Sequence, residues 1–345
     1  MNAVKDIRIS AVSDKWFETK ANRYNHKIIN EFLAISPKLS PKTLDQYHSC
    51  LRIFAHWIYT DCGNKRITKL TAIDGKHYQD WLINHNTSSA NQAVKLAAAS
   101  QLCKYIQKYR SSRLFPFTNP IALGRETTVK TDPKPKLPLT PAELDKLMTV
   151  LERRKEYQKL AYIAITYQTA CRRAESGQFE RKLANYTDND AKHFSDDSGN
   201  DISYFISNKI RCKGRGRAGK VRQFKLAPYT IAYLKQWDDQ RVAMAEHTGI
   251  DDDCPMLFVH IDKDGVHALT PAAFSYWFKE FSSIVGRHIH PHLLRTSRAT
   301  NLVVNDHQPI KAVAKMMGHK SEQTTRDYYV IDHSEDSDAE LVSMI

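Results

Sequence analysis

Four short stretches in the later part of this 345-residue chain gather side chains better suited to holding an anion than to filling a core. The first, Thr169-Ala170-Cys171-Arg172-Arg173-Ala174-Glu175, directly follows an apolar run. The second spans residues 209–225, with eight Lys or Arg (Lys209, Arg211, Lys213, Arg215, Arg217, Lys220, Arg222, Lys225) and no acid. Eight like charges so close repel one another unless an anionic partner offsets them. The third, Pro291-His292-Leu293-Leu294-Arg295, puts His292 and Arg295 at i, i+3 and so on one helix face. The fourth is Gly318-His319, followed nine residues later by Tyr328. Guanidinium groups grip paired oxygens and stay charged at any working pH. A tyrosine hydroxyl, with a free pKa near ~10, becomes a useful nucleophile only if its proton is taken up.

Taken singly, each stretch also has an ordinary reading. Arg172 and Arg173 suit a helix start at the surface, the basic run a solvated loop, and Tyr328 a core aromatic. His288-Ile289-His290-Pro291-His292 has the look of metal ligands, but no Cys, Asp or Glu cluster accompanies it, so no metal site is expected.

Together the stretches are more specific. Their order is Arg and Glu, then Lys in a β-hairpin, then His-x-x-Arg, then Gly-His, then Tyr. This resembles the tyrosine recombinase (phage integrase) family. That family's first box, T-G-x-R-x-x-E, is met by Thr169 to Glu175, with Ala170 in place of Gly. Its H-x-L-R-H box is met by His292 to Thr296, with Thr296 in place of the final His. Its L-G-H-x(5)-T-x(2)-Y box is met by Met317-Gly318-His319, Thr325 and Tyr328. Ser176 and Gly177 stand where the family usually has two Leu, so this helix must pack differently or end early.

The resemblance implies an enzyme that attacks a DNA phosphodiester with Tyr328, forming a 3′-phosphotyrosyl link without metal, ATP or other cofactor. Arg172 and Arg295 would clamp the non-bridging oxygens, His292 would assist proton transfer from the tyrosine, and His319 would donate a hydrogen bond to the phosphate. Lys213, next to Gly214, fits the family's K-G pattern for the general acid, with Lys220 as the alternative. Glu175 would orient the Arg and His side chains. Lys209, Arg211, Arg215, Arg217, Lys220 and Arg222 would contact DNA. The expected partners are a double-stranded recombination site and, in the synaptic complex, three further copies of the chain, the free protein being a monomer or dimer. A type IB topoisomerase-like nicking and resealing enzyme is the alternative within DNA chemistry. A DNA-binding regulator with a dead site is the alternative outside it, though every nucleophile, clamp and histidine position is filled.

These residues need a scaffold. With 41% hydrophobic residues, five Trp, 16 Tyr and 13 Phe, the chain can bury a core. Residues 126–139 hold three prolines and read as an extended linker. The expected organisation is a helical core-type DNA-binding domain at 1–125 with an N-terminal extension at 1–39, that linker, a catalytic domain at 140–331 and a tail at 332–345. Helices are expected at 14–34, from 41 through Trp57/Ile58, at 75–84 and at 91–109. The second part should be mixed. Helices are expected from the Thr140-Pro141-Ala142-Glu143 capping box, then at 158–170, 229–246, 271–285, 292–305, 309–317 and 322–329. Strands are expected at 202–209 and 221–226 around the basic loop, with a third at Met256 to His260, and 187–201 as a solvated insertion. The fold class is thus mainly α with a small β-hairpin or sheet, and the resemblance implies two domains closing as a C-shaped clamp.

Charge agrees with a polyanion partner. Lys and Arg total 51 against 38 Asp and Glu, a net of +13, and residues 1–125 alone carry +11. Residues 332–345 carry −5 and end in Leu341, Val342, Met344 and Ile345, so the tail reads as a protein contact or a frayed end. The six cysteines never form CxxC, which disfavours a disulfide framework or zinc knuckle and suits a reducing cytosol. No apolar stretch is long enough for a membrane span, and Met1 to Lys15 lacks a signal-like core, so a cytoplasmic, nucleoid-associated location is expected.

Overall fold

The computed structural model describes residues 11–36, 39–85, 87–126, 137–195, 199–214, 219–319 and 321–329, the last three by backbone only. Residues 127–136 of the expected 126–139 linker, Arg215, Arg217 and the expected tail at 332–345 lie outside the described residues. The chain divides into two units, Met1–Pro133 with Gly214–Gly219, and Lys134–Lys213 with Lys220–Ile345.

The first unit is helical among its described residues: α1 (Asp14–Lys20), α2 (Arg23–Ala34), α3 (Pro41–Asp61), α4 (Ala72–Asn84), α5 (Ser89–Tyr109) and α6 (Pro120–Leu123). Ser13, Asn22, Ser40 and Ser88 accept from the first free N–H groups of α1, α2, α3 and α5. The expected helix at 14–34 is two, because Ala21 is extended and Asn22 starts a new helix, anchored by side-chain bonds to Asn64. Phe17, Ile28, Ile29, Phe32, Leu51, Phe54, Trp57, Ile58, Leu102 and Ile106 pack in one core.

The second unit carries three of the chemical stretches whole and the basic one apart from 214–219. Its helices are α7 (Pro141–Arg153), α8 (Tyr157–Thr169), α9 (Arg173–Ser176), α10 (Pro228–Thr248), α11 (Pro271–Val285), α12 (Pro291–Thr300), α13 (Ile310–Met317) and α14 (Glu322–Tyr329). Residues Leu160 to Thr166 of α8 are buried in succession, so this helix is covered on every side and forms the axis of the core. Thr140 and Glu143 cap α7 reciprocally. α12 stops at Thr300, and a π-turn over Asn301–Asn305 takes the remainder of the segment expected to be helical. Among the described residues, no helix is long and apolar enough to cross a membrane.

The β-structure differs from expectation in instructive ways. Strands β1 (Lys192–Ser195), β2 (Asp201–Ile206) and β5 (Lys225–Leu226) form one antiparallel sheet in the order β1-β2-β5. Strands β3 (Ile210–Cys212) and β4 (Lys220–Arg222) form a separate hairpin. The expected 202–209 strand breaks at Ser207–Lys209. There the Asn208 side chain accepts from Glu180 N and donates to Gln178 O, drawing the chain off the ladder. β1 falls in the segment expected to be a solvated insertion; every residue of it is exposed, so no apolar alternation marks it. The strand expected at Met256 to His260 lies instead at Val259–Asp262 (β6) and pairs with Gly265–Ala268 (β7).

A buried ion pair secures the loop before β6. Arg241, wholly buried, donates to both carboxylate oxygens of Asp252 and to the carbonyls of Cys254 and Met256. Breaking such a pair strands a buried charge. Arg241→Ala should lower stability by roughly 3–5 kcal/mol in urea unfolding of the full chain; a loss below about 1 kcal/mol would mean the loop holds itself.

Candidate active site

α8 ends at a left-handed residue, Ala170, with φ 48° and ψ 32°. That turn releases the chain into an extended Arg172, which caps the four-residue α9. The helix ends at Gly177, where a Cβ would press on Phe274 at 3.3 Å, so the stretch around Ser176 and Gly177 does end early. Glu175 turns back on Arg172. Its Oε2 accepts from Arg172 N and its Oε1 from Arg172 Nη1, both at 2.9 Å. Burial pushes the Glu175 carboxyl up, but the N–H and guanidinium of Arg172, with the charge of Arg222, outweigh burial and hold its pKa low. It is a carboxylate fixed between cations.

Arg295, on α12 and 1% exposed, is anchored from inside. Nη1 donates to Ala170 O. Nη2 donates to Met317 O at 2.8 Å and lies 2.9 Å from His319 Nε2. The residues of the first, third and fourth stretches are therefore joined by direct bonds. His319 follows Gly318, the left-handed cap of α13, and its Nδ1 lies 2.8 Å from Thr325 Oγ1. Thr325 is fully buried and precedes Tyr328 by three residues on α14. The side chain of Tyr328 lies outside the described residues.

The remaining expected site residues divide by exposure. His292, in the first turn of α12, is exposed, as are Lys209, Arg211, Lys213 and Lys220. Arg222 differs: it pairs with Ile210, which is wholly buried, and its side chain is 15% exposed. Strand alternation carried the signal, since Arg222 shares parity with buried Phe224 and Leu226. Cys171, beside Arg172, is no competing nucleophile, because burial pushes its thiol up to about 12. Among the described residues, no group of three or more His, Cys, Asp and Glu side chains is gathered as for a metal.

His319 has a definite protonation state here. An arginine only donates, so the Nε2 facing Arg295 is the acceptor and the proton sits on Nδ1, toward Thr325. Burial first, then the charges of Arg295, Arg172, Arg222 and His292, lower its pKa to about 4. In this state the ring accepts at Nε2; donating there to a phosphate requires that Arg295 leave Nε2 and that this nitrogen gain a proton, by tautomer exchange or by protonation of the ring. Because the folded pKa lies below the free value of ~6.5, the unfolded chain takes the proton first. This group therefore costs stability as pH falls from about 6.5 toward 4, and is silent above that window. In the DNA-free protein, long-range 1H–15N NMR should find a Nδ1–H ring titrating near 4; a midpoint near ~6.5 would overturn this geometry.

Comparison with known proteins shows the family. The phage integrase family model matches residues 138–335, which hold all four stretches. The SPbeta prophage-derived recombinase-like protein YomM of Bacillus subtilis (strain 168) is 26% identical over 326 residues, covering 92% of this chain and 90% of that protein. Tyrosine recombinase XerC of Chromohalobacter salexigens is 26% identical over 323 residues, covering 91% and 94%. Among solved structures, XerH recombinase bound to its palindromic difH substrate superposes with a TM-score of 0.64 at 20% identity, over 88% of this chain and 80% of that one. The Tn1549 transposon integrase in complex with transposon right end DNA gives 0.61 at 17% identity, over 92% and 98%. With the family model matched over more than half of its length, the chain belongs to the phage integrase family, the tyrosine recombinases, which are DNA strand-transferring enzymes.

Proposed function

We propose that the chain is a site-specific recombinase that cuts and rejoins duplex DNA through a 3′-phosphotyrosyl link on Tyr328. The observation that carries this reading is the two bonded pairs Arg172–Glu175 and Arg295–His319, linked through Ala170 O, with the helix bearing Tyr328 starting three residues after His319. Such a cluster suits a phosphate whose non-bridging oxygens gain charge in the transition state. The Tyr328 oxygen attacks phosphorus and loses its proton with help from His292, while the bond to the 5′-oxygen breaks and that oxygen takes a proton from a hairpin lysine. The phosphodiester becomes a phosphotyrosyl ester, so its energy is kept and the reverse attack by a 5′-hydroxyl reseals a strand.

Lys213 is the proposed general acid on its K-G context. Lys220, opposite Cys212 and on the strand face of Arg222, is the alternative. The proposed partner is duplex DNA, supported by the family and by solved neighbours that hold DNA. The basic first unit would supply phosphate contacts, and a tetramer the synaptic assembly.

The recognition site can be sought with nicked duplexes tiled across the DNA flanking the coding region. Wild type should become covalently attached to one of them; Tyr328→Phe should bind it without attaching. An adduct formed by Tyr328→Phe removes the assigned nucleophile. A 5′-sulfur leaving group needs no proton, so it should rescue whichever of Lys213→Ala and Lys220→Ala lacks the general acid. Rescue of neither would take the role from the hairpin. Binding should weaken steeply, by about 10³-fold or more between 50 and 200 mM salt; a flat response contradicts a phosphate footprint.

A further inference from the structure

Arg222 has no part in the chemistry just described, and it is the one described cation of the basic hairpin strands that turns inward. Its neighbours Lys220 and Val221 are exposed, whereas only 15% of its own side chain is. The guanidinium meets two helices and an aromatic ring at once. Nη1 donates to Met316 O, in the last turn of α13, at 2.9 Å. Nη2 faces Glu175 Oε2, on α9, at 3.5 Å. The guanidinium carbon stands 4.0 Å from the centroid of the buried Phe224 ring. Gly318 closes the fourth side. A Cβ there would lie 2.8 Å from Nη1, and its φ of +70° already favours glycine.

We infer that Arg222 is a positioning residue. Its guanidinium ties the β3–β4 hairpin to both halves of the phosphate site, Arg172–Glu175 and Gly318–His319–Arg295, and thereby sets where the hairpin lysine meets the leaving oxygen. This rests on reading the cluster as a phosphate site.

Two simpler roles fit less well. A duplex phosphate is met by accessible cations, and exposed Lys209, Lys213 and Lys220 answer that description. Arg222 has Nη1 on a backbone carbonyl and Nη2 against a buried carboxylate. Plain packing would be served as well by an apolar side chain between Ile210 and Phe224, without the cost of desolvating a cation. What a guanidinium adds is direction: a fixed fork that holds α9 and α13 at set distances. Arg295, bonded to Ala170 O and Met317 O, is a second strut across the same gap. Arg222 differs in lying on β4 itself, so the hairpin is placed through it.

The test uses full-length protein. Duplex binding is measured on random-sequence DNA over a salt series, and adduct formation on the nicked duplex that wild type attacks, at saturating concentration. Arg222→Ala should keep wild-type affinity and salt slope, lose about 100-fold in adduct formation, and raise the His319 titration midpoint above about 4 in DNA-free protein. Arg222→Lys keeps the charge without the fork, so it should restore the His319 midpoint and only part of the rate. If alanine leaves too large a void, Arg222→Met fills it, and a wild-type adduct rate in that variant overturns the inference. Weaker duplex binding with the salt slope reduced by about one, and normal adduct formation at saturation, would make Arg222 a phosphate contact instead. If wild type forms no adduct, or Tyr328→Phe forms one, the phosphotyrosyl reading fails. The His319 midpoint then still decides whether Arg222 belongs to the cluster.

Discussion

Arg172, Arg222 and Arg295 bring three permanent charges close enough to His319 to act together on its ring. Like charges gathered around one ring repel, so the fold sets opposing charge beside them. Glu175 answers for Arg172 and Arg222. The rest of the compensation comes from two helix ends. Ala170 caps α8 and Gly318 caps α13, both left-handed, and the carbonyls at such ends have no partner inside their helix. Ala314 O and Lys315 O are taken by the backbone N–H groups of His319 and Gly318. Met316 O receives Arg222, and Met317 O and Ala170 O receive Arg295. The negative ends of two helix dipoles thus absorb cations that would otherwise part.

The same economy governs the histidine. A ring with guanidinium groups around it does not hold a second proton at neutral pH, so His319 is neutral in the DNA-free protein. An arriving phosphate would reverse the local sign. It would offer the arginines a better acceptor than an imidazole nitrogen and favour a protonated ring. A site built this way would answer a bound anion with protons as well as contacts.

How legible this was depended on the range of the interactions. Arg172, Glu175, His292, Arg295 and His319 could be picked out because their spacing within each stretch is local and their order along the chain is distinctive. The helices of both units were legible for the same reason, through caps such as Thr140 with Glu143 and through apolar periodicity. What escaped were features set by distant partners. β1 is exposed at every residue, so only its pairing with β2 defines it. The break at Ser207–Lys209 depends on Asn208 bonding Gln178 and Glu180, some thirty residues earlier. Arg222 was hidden in a run of like charges, although its parity with Phe224 and Leu226 marked it as inward.

Ala170 shows how the site tolerates a departure from the family's glycine. A left-handed alanine costs roughly 1–2 kcal/mol against a right-handed one. Two terms oppose that cost. The unfolded chain is less free with alanine than with glycine, by about 0.4–1 kcal/mol. The methyl is also fully buried beside Ala299, Val313 and Met317, and burial of one such group is worth about 0.8 kcal/mol. The sum lies near zero, so alanine can stand where the turn would ordinarily ask for glycine. The turn itself cannot be given up, because it aims Ala170 O at Arg295 and frees Arg172 to run extended into Glu175. Sequence identity at this position is therefore a weaker constraint than backbone shape, and the small cluster beneath the turn is what lets the two come apart.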